Sequence, residues 1–195
     1  MSEFKKKMYE KIRQYSRDEY LNGYINSEYM TSDGDADIYL NISKRDELFD
    51  SRTSSNQLDL NHNIYNFIEN KSAMLNSDVA LNLHITGANL TDKEKGIVKH
   101  IVKEHYAIEL YKIQKKYNKY RNKIIGLLFI GIASLLGYFI IYYIRNFNLL
   151  LEVFVFVFSF SLWEAGDCLI YTLSNIKLER EAITQNLLIN VEFDD

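Results

Sequence analysis

Two long apolar segments constrain the fold of this chain more than any other feature. Residues 124–144 read IIGLLFIGIASLLGYFIIYYI, 21 residues without a charge, and residues 153–173 read VFVFVFSFSLWEAGDCLIYTL. At about 1.5 Å per residue, a helix of this length spans about 30 Å, the thickness of a bilayer's hydrocarbon core. Because the connector between them is short, the segments are antiparallel neighbours. The sequence therefore predicts a transmembrane hairpin.

The charges that flank the hairpin predict its orientation. Lys177 and Arg180 follow the second segment, whereas the connector offers only Arg145. Five basic side chains precede the first segment: Lys115, Lys116, Lys119, Arg121 and Lys123. Positively charged flanks remain on the cytoplasmic side, and residues 1–20 are charged without an apolar core, unlike a signal peptide. We expect a multi-pass protein with both termini cytoplasmic.

The second segment contains two acidic residues, Glu164 and Asp167, beside Trp163. Residues three apart lie on one helical face. An acid in mid-membrane costs roughly 2.5 to 3.5 kcal/mol on insertion scales, so it usually faces a protein interior or water. Three interpretations follow: the residues line or gate a pore, they hydrogen-bond between helices, or the span is shorter and Asp167 lies at its cytoplasmic end. Glu164, near the middle, fits the first best.

Small residues in the first segment favour close helix packing. Gly126, Ala133 and Gly137 are candidates, and Ala133 with Gly137 has the small-xxx-small spacing that lets backbones approach. Glycines are also tolerated in helices that face lipid. Close packing, within one hairpin or between hairpins, would favour an oligomer, whereas glycines that merely face lipid would not.

The first 90 residues are expected to form a small cytoplasmic α/β domain. Apolar residues alternate in DIYLNI (37–42), QLDLN (57–61) and VALNLHITG (79–87), which predicts three strands. Helical patterns in SKRDELFDSR and NIYNFIENKSAML separate them. The tail LLINVEF (187–193) also has strand character and is expected to pair with this sheet. Residues 3–20 predict an amphipathic helix, either solvated or resting on lipid headgroups.

A long helix is predicted to connect this domain to the membrane. Thr91 opens TDKE, a capping box with Glu94 at the third position, and an apolar stripe then continues without glycine or proline from residue 97 to residue 125. The end of the helix is basic, with Lys112, Lys115, Lys116, Lys119, Arg121 and Lys123. These side chains suit lipid headgroups, or else an anionic ligand such as a nucleotide or short nucleic acid.

Composition excludes several classes of function. The net charge of −3 indicates no global nucleic-acid field. The only cysteine, Cys168, permits neither an internal disulfide nor a cysteine metal cluster, and the four histidines lack zinc-ligand spacing. No phosphate-binding loop or catalytic motif is present. We expect neither an enzyme nor a bound metal or cofactor.

The predicted fold class is an α+β membrane protein. Residues 1–90 form the α/β domain, 91–123 the connecting helix, 124–173 the hairpin with spans at 124–144 and 153–173, and 174–195 a cytoplasmic tail that contains a strand.

One resemblance extends these predictions. The segment LHITGANLTDKEKGIVKHIVKEHY, the basic helix, the two spans, the motif W-E-A-x-D at residues 163–167 and the ending INVEF resemble small bacterial two-span membrane proteins over residues 79–195. The architecture is similar to that of the Hailong membrane effectors of anti-phage defence. That resemblance implies a tetrameric channel in the bacterial inner membrane, held shut by a short DNA oligomer that a partner nucleotidyltransferase makes.

Two functions therefore stay open at the level of sequence. The first is an oligomeric ligand-gated pore, in which the helix over 91–123 couples a sensing domain to a gate at Glu164. The second is a membrane-anchored scaffold that recruits a cytoplasmic partner, with the acids serving helix packing alone.

Overall fold

A computed structural model describes residues 11, 25, 28–53, 58–87, 89–144 and 148–194 of the chain. The chain divides into two compact units, one made of Met1–Ala107 and Ala182–Asp195 and the other of Ile108–Glu181. The first unit therefore includes both ends of the chain. The amphipathic helix predicted over residues 3–20 lies outside the described residues.

A three-stranded parallel sheet organises the first unit. Its strands are β1 (Ala36–Asn41), β2 (Leu81–Thr86) and β3 (Asn190–Asp194), in the order β1-β2-β3. Side chains alternate between faces along a strand, and one face is apolar and buried, with Ile38 opposite Leu83 and Leu83 opposite Val191. The predicted pairing of the tail strand with the sheet is confirmed.

The strand predicted over residues 57–61 is wrong. Leu60 forms only an isolated antiparallel bridge with Phe49. The neighbouring polar side chains bond locally instead: the Asp59 carboxylate accepts the hydroxyl of Tyr65 at 2.6 Å, and the Asn61 side chain accepts a backbone N–H of the following helix. Asp and Asn offer the backbone such local bonds in place of a sheet ladder, so alternation in QLDLN does not produce a strand.

Helices cover the apolar face of the sheet. Helix α1 is a single turn (Arg45–Leu48), α2 spans His62–Ser72, and α3 spans Asp92–Ile144. The buried core contains Ile64 and Ile68 from α2 together with three residues from the first part of α3: Val98, Val102 and Tyr106. The apolar stripe predicted for the connecting helix thus begins as a core-facing stripe.

The start of α3 confirms the predicted capping box. The Glu94 carboxylate accepts the Thr91 backbone N–H at 3.0 Å and the Thr91 hydroxyl at 2.8 Å. These bonds satisfy groups that a helix start would otherwise leave unpaired. The helix then continues for 53 residues without a break, as the sequence predicts.

The second unit contains the two apolar segments. Helix α4 (Asn148–Asp167) is followed without interruption by a π-helical segment (Cys168–Leu173) and by α5 (Ser174–Leu187). In both long helices only 17% of the most apolar window is buried. A core helix of a soluble protein would bury most of such a window, so the structure provides two candidate membrane spans.

The segment from α3 to α5 is the connection between two neighbouring parallel strands. Parallel strands need a crossover connection, commonly a helix, and here the crossover between β2 and β3 contains both candidate spans. Gln185 near the end of α5 fixes the return, because its amide donates to the carbonyls of Asn76 at 2.7 Å and Val79 at 2.9 Å.

Candidate functional site

An ion pair joins the two apolar helices. The Lys123 Nζ atom lies 2.7 Å from Glu164 Oε1, and the two side chains are 46% and 32% exposed. Lys123 is the last residue before the apolar segment that starts at residue 124. Glu164 therefore contacts the residue that borders the start of the first predicted span, because the second helix returns alongside the first.

Next to this ion pair lie a buried cysteine and the start of the π-helical segment. Cys168 is buried, and its Sγ atom lies 3.9 Å from Glu164 Oε1. Cys168 also begins the π-helical segment. Short π-helical segments inside α-helices often occur at functional sites, and this one begins four residues after the acid of the ion pair.

Asp167 and Trp163 do not join the pair. Both side chains are exposed, and Trp163 is 78% exposed. Of the three residues predicted for a pore or gate, Glu164 thus contacts the neighbouring helix, whereas Asp167 and Trp163 are exposed.

The basic residues of α3 divide into two groups. Lys112 pairs with Glu109 at 2.6 Å, Lys116 with Glu179 at 3.1 Å, and Lys123 with Glu164. Of the six basic residues predicted for anionic-ligand or lipid contact, the other three have no carboxylate partner: Lys115, Lys119 and Arg121. All three are exposed, so an anion or a lipid headgroup would meet them first.

The contact between α3 and α4 involves only some of the small residues of the first segment. Gly126 has open space where a Cβ would lie, and Ala133 is exposed. Ser134 is buried and its hydroxyl donates to the Phe154 carbonyl at 2.9 Å. At Gly137 an added Cβ would lie 2.6 Å from the Phe154 ring. Of the predicted packing residues, only Gly137 therefore packs within the hairpin.

A polar cluster on the open face of the sheet was not predicted from the sequence. His84 stacks on Tyr39 at 4.9 Å, and its ring nitrogens lie 3.2 Å from Asp194, 3.5 Å from Asp37 and 3.8 Å from Glu192. Parallel sheets usually have both faces covered, but this face carries the polar half of each strand's alternation. That alternation was the available signal, although it did not reveal which strands are adjacent.

The acidic character of this face limits its chemistry. Within the described residues, no group of three or more histidine, cysteine, aspartate or glutamate side chains has the arrangement needed to hold a metal ion. Three carboxylates around one imidazole would repel a nucleic acid. An anionic ligand would instead meet the exposed cations of α3.

Comparison with known proteins adds no relative. No protein-family model matches the chain, and neither the curated proteins nor the solved structures give a significant match. The fold and the site define an α+β protein with two candidate membrane spans joined by an ion pair.

Proposed function

We propose that this chain assembles in a membrane as an oligomeric, ligand-gated, ion-conducting pore. The observation that carries the proposal is the Lys123–Glu164 ion pair between the two apolar helices. Charged residues inside membrane segments usually pair with one another and mark ion pathways. The pair would hold the two helices together in the closed state, and its separation would accompany opening.

Chain connectivity supports a two-span topology. Residues on both sides of the hairpin belong to one compact unit, Met1–Ala107 with Ala182–Asp195. A folded unit stays on one side of a membrane, so the helices that leave it and return must cross an even number of times. With the positive flanks at residues 115–123 and at Lys177 and Arg180, that side is the cytoplasm of the proposed inner-membrane protein.

Charge supports an anionic ligand. The exposed cations Lys115, Lys119 and Arg121 lie within seven residues of α3, next to the ion pair at Lys123. A short DNA oligomer or nucleotide, as the resemblance to the Hailong effectors implies, would bind here and not at the acidic face around His84. Its removal during phage infection would open a tetrameric pore and depolarise the cell.

Planar-bilayer recording of the purified chain tests this proposal. We expect the wild type to conduct and Glu164→Gln, which breaks the ion pair, to show a several-fold higher open probability. Glu181→Gln removes an exposed carboxylate of α5 away from the pair and is the matched control. An absence of conductance in the wild type and in Glu164→Gln, with and without added oligonucleotide, would rule out a pore.

The ligand has its own test. Replacing Lys115, Lys119 and Arg121 together by Gln should abolish inhibition by a short single-stranded DNA oligomer without abolishing conductance. Replacing Asp37 and Glu192 by Asn and Gln should leave inhibition unchanged, because that face is acidic. Inhibition of the triple variant at wild-type concentrations would contradict the assignment.

One observation favours the second function, a membrane-anchored scaffold. Lys123 neutralises Glu164, so the acid has a packing partner within its own hairpin. In this case the chain would recruit a cytoplasmic partner and cause no ion leakage. A membrane-potential dye in cells that overexpress the chain separates the two functions, since depolarisation that Glu164→Gln alters contradicts a passive anchor.

A further inference from the structure

The face of α4 turned away from α3 is not uniformly apolar. Leu151, Ser161 and Ala165 are buried on the inner side of the helix. The outer side carries a stripe at successive spacings of four, three, four and four residues, all exposed: Glu152, Phe156, Ser159, Trp163 and Asp167. We call this set the outer stripe. It alternates an acid, an aromatic ring, a hydroxyl, an aromatic ring and an acid.

The outer stripe combines side chains that a lipid-facing helix does not favour. Its two carboxylates are separated by 15 residues, about 22 Å along the helix, with the Ser159 hydroxyl between them. Neither Lys nor Arg occurs in α4, all of whose residues are described. Lys123, the cation on α3 nearest to this helix, pairs with Glu164, which is not part of the stripe. The outer stripe thus carries one carboxylate just before the second predicted span, Glu152, and one toward its other end, Asp167, without a cation of α4 beside either.

A shallow, open groove with a mostly apolar lining adjoins the stripe and carries several polar side chains. It has a volume of about 590 Å³ and includes Glu152, Phe156 and Ser159 of the stripe, with Asn148 at its end and Tyr138 contributed by α3. Polar groups from two helices therefore converge on one concave surface. Polar side chains in membrane helices face water-filled cavities or protein.

We infer that the outer stripe lines an aqueous path enclosed by further copies of this chain and that the path selects cations. This inference rests on the proposed pore. Rings of carboxylates at Glu152 and Asp167 would stand at the two mouths and concentrate cations. Rings of Phe156 and Trp163 would narrow the path between them, where hydrophobic constrictions gate by dewetting. Glu164 would act beside the path, on the helix contact, and not in it.

Reversal potentials test the selectivity. Under a KCl gradient across a planar bilayer, the wild type should reverse close to the K⁺ equilibrium potential. Asp167→Asn and Glu152→Gln should each move the reversal potential toward zero, and the double variant with Lys at both positions should reverse its sign. Glu181→Gln should have no effect. An anion-selective wild type, or no shift in either single variant, would overturn the inference.

Thiol labelling tests the same surface without requiring conductance. Ser159→Cys lies on the stripe, whereas Ile132→Cys lies on α3, outside the stripe, at a side chain that is 58% exposed. The two are at a similar depth, since the neighbouring Gly131 lies against Ser161. In proteoliposomes a charged, water-soluble thiol reagent should modify Ser159→Cys at least tenfold faster, because it reacts with thiolate in water. The wild-type chain is the blank, since its one thiol at Cys168 is buried.

A failure of the water-facing stripe and a failure of the proposed pore give different results. Equal labelling of Ser159→Cys and Ile132→Cys would overturn the outer stripe as a water-facing surface, even if the wild type conducts. Selective labelling of Ser159→Cys without any conductance would instead overturn the pore and retain a water-facing stripe. Selective labelling together with cation-selective conductance is the result expected.

Discussion

The Lys123 Nζ atom lies 2.7 Å from the Oε1 atom of Glu164, although 41 positions separate the two residues in the sequence. This pair ties the entry of the first apolar segment to the exit of the second. It also fixes the rotation of α4 about its own axis, because Glu164 must face α3. Trp163 and Asp167, about 100° and 60° from Glu164 around the helix axis, both remain exposed.

Exchanging the two charges should distinguish the interaction between Lys123 and Glu164 from the separate effect of each residue. Lys123→Glu and Glu164→Lys each place like charges together, whereas the double variant restores an opposite pair. Because the side chains are partly exposed, the coupling is expected to be about 0.2–1 kcal/mol, up to roughly a fivefold change in open fraction. Depolarisation measured with a potential-sensitive dye should rise in both single variants and return toward the wild type in the double. A double variant as leaky as the sum of the singles would exclude a direct interaction.

The two glycines of the predicted packing stripe should respond differently to alanine. A Cβ at Gly137 would lie 2.6 Å from the Phe154 ring, whereas Gly126 has open space. Gly137→Ala must displace an aromatic ring between the helices and should destabilise the hairpin by about 1–3 kcal/mol. Gly126→Ala should be neutral or stabilise by up to about 1 kcal/mol, since alanine favours helix. Thermal unfolding in detergent compares them, and equal effects would contradict the described contact.

The capping box at the start of α3 should make stability depend on pH. The backbone hydrogen bond from Thr91 is the main cause that lowers the pKa of Glu94, followed by the Thr91 hydroxyl and by Arg45. A lowered folded-state pKa gives stability that is present above the ordinary value of 4.5 and is lost as the pH falls through the folded value. Far-UV circular dichroism melts should show this loss below about pH 4.5.

Glu94→Gln supplies the comparison for that titration. The amide cannot ionise, so the part of the acid-induced loss that comes from Glu94 should vanish, and the melting temperature at pH 7 should fall toward its acid value. Asp78→Asn, at an exposed loop carboxylate, should leave the pH dependence unchanged. If the slopes of Glu94→Gln and the wild type coincide below pH 4.5, the capping box does not contribute.

Local sequence signals predicted the parts of the fold that depend on neighbouring residues. The TDKE box at Thr91 specifies its own hydrogen bonds, and the absence of glycine and proline after Gly96 permits one long helix up to Gly126. The tail strand was predictable because apolar residues alternate in LINVEF. The strand expected around Leu60 failed because alternation is the same whether Asp59 and Asn61 face solvent or bond to the nearby chain.

Contacts between distant elements were beyond the sequence. Hydropathy gives the length of an apolar helix but not its rotation, so nothing in the segment around Glu164 shows that Lys123 faces it. The cluster around His84 likewise needs the strand order, because Asp37 and Asp194 come from the strands on either side of β2. Each of these sites depends on which elements are neighbours, and a single sequence contains no direct record of that.

Removing the hydroxyl of two core tyrosines is expected to change stability in opposite directions. The Tyr65 hydroxyl donates to Asp59 at 2.6 Å, whereas the Tyr106 hydroxyl is buried with no hydrogen-bond partner among the described residues. Burial raises the pKa of both hydroxyls, so both stay neutral and protonated across the working pH range.

An unpaired buried hydroxyl costs free energy, and its removal relieves that cost. Tyr106→Phe should therefore stabilise the first unit by up to about 1 kcal/mol, and Tyr65→Phe should destabilise it by about 1–1.5 kcal/mol. Urea unfolding of the detergent-solubilised chain, followed by circular dichroism, measures both; a loss of stability in Tyr106→Phe equal to that in Tyr65→Phe would show that the Tyr106 hydroxyl is bonded after all.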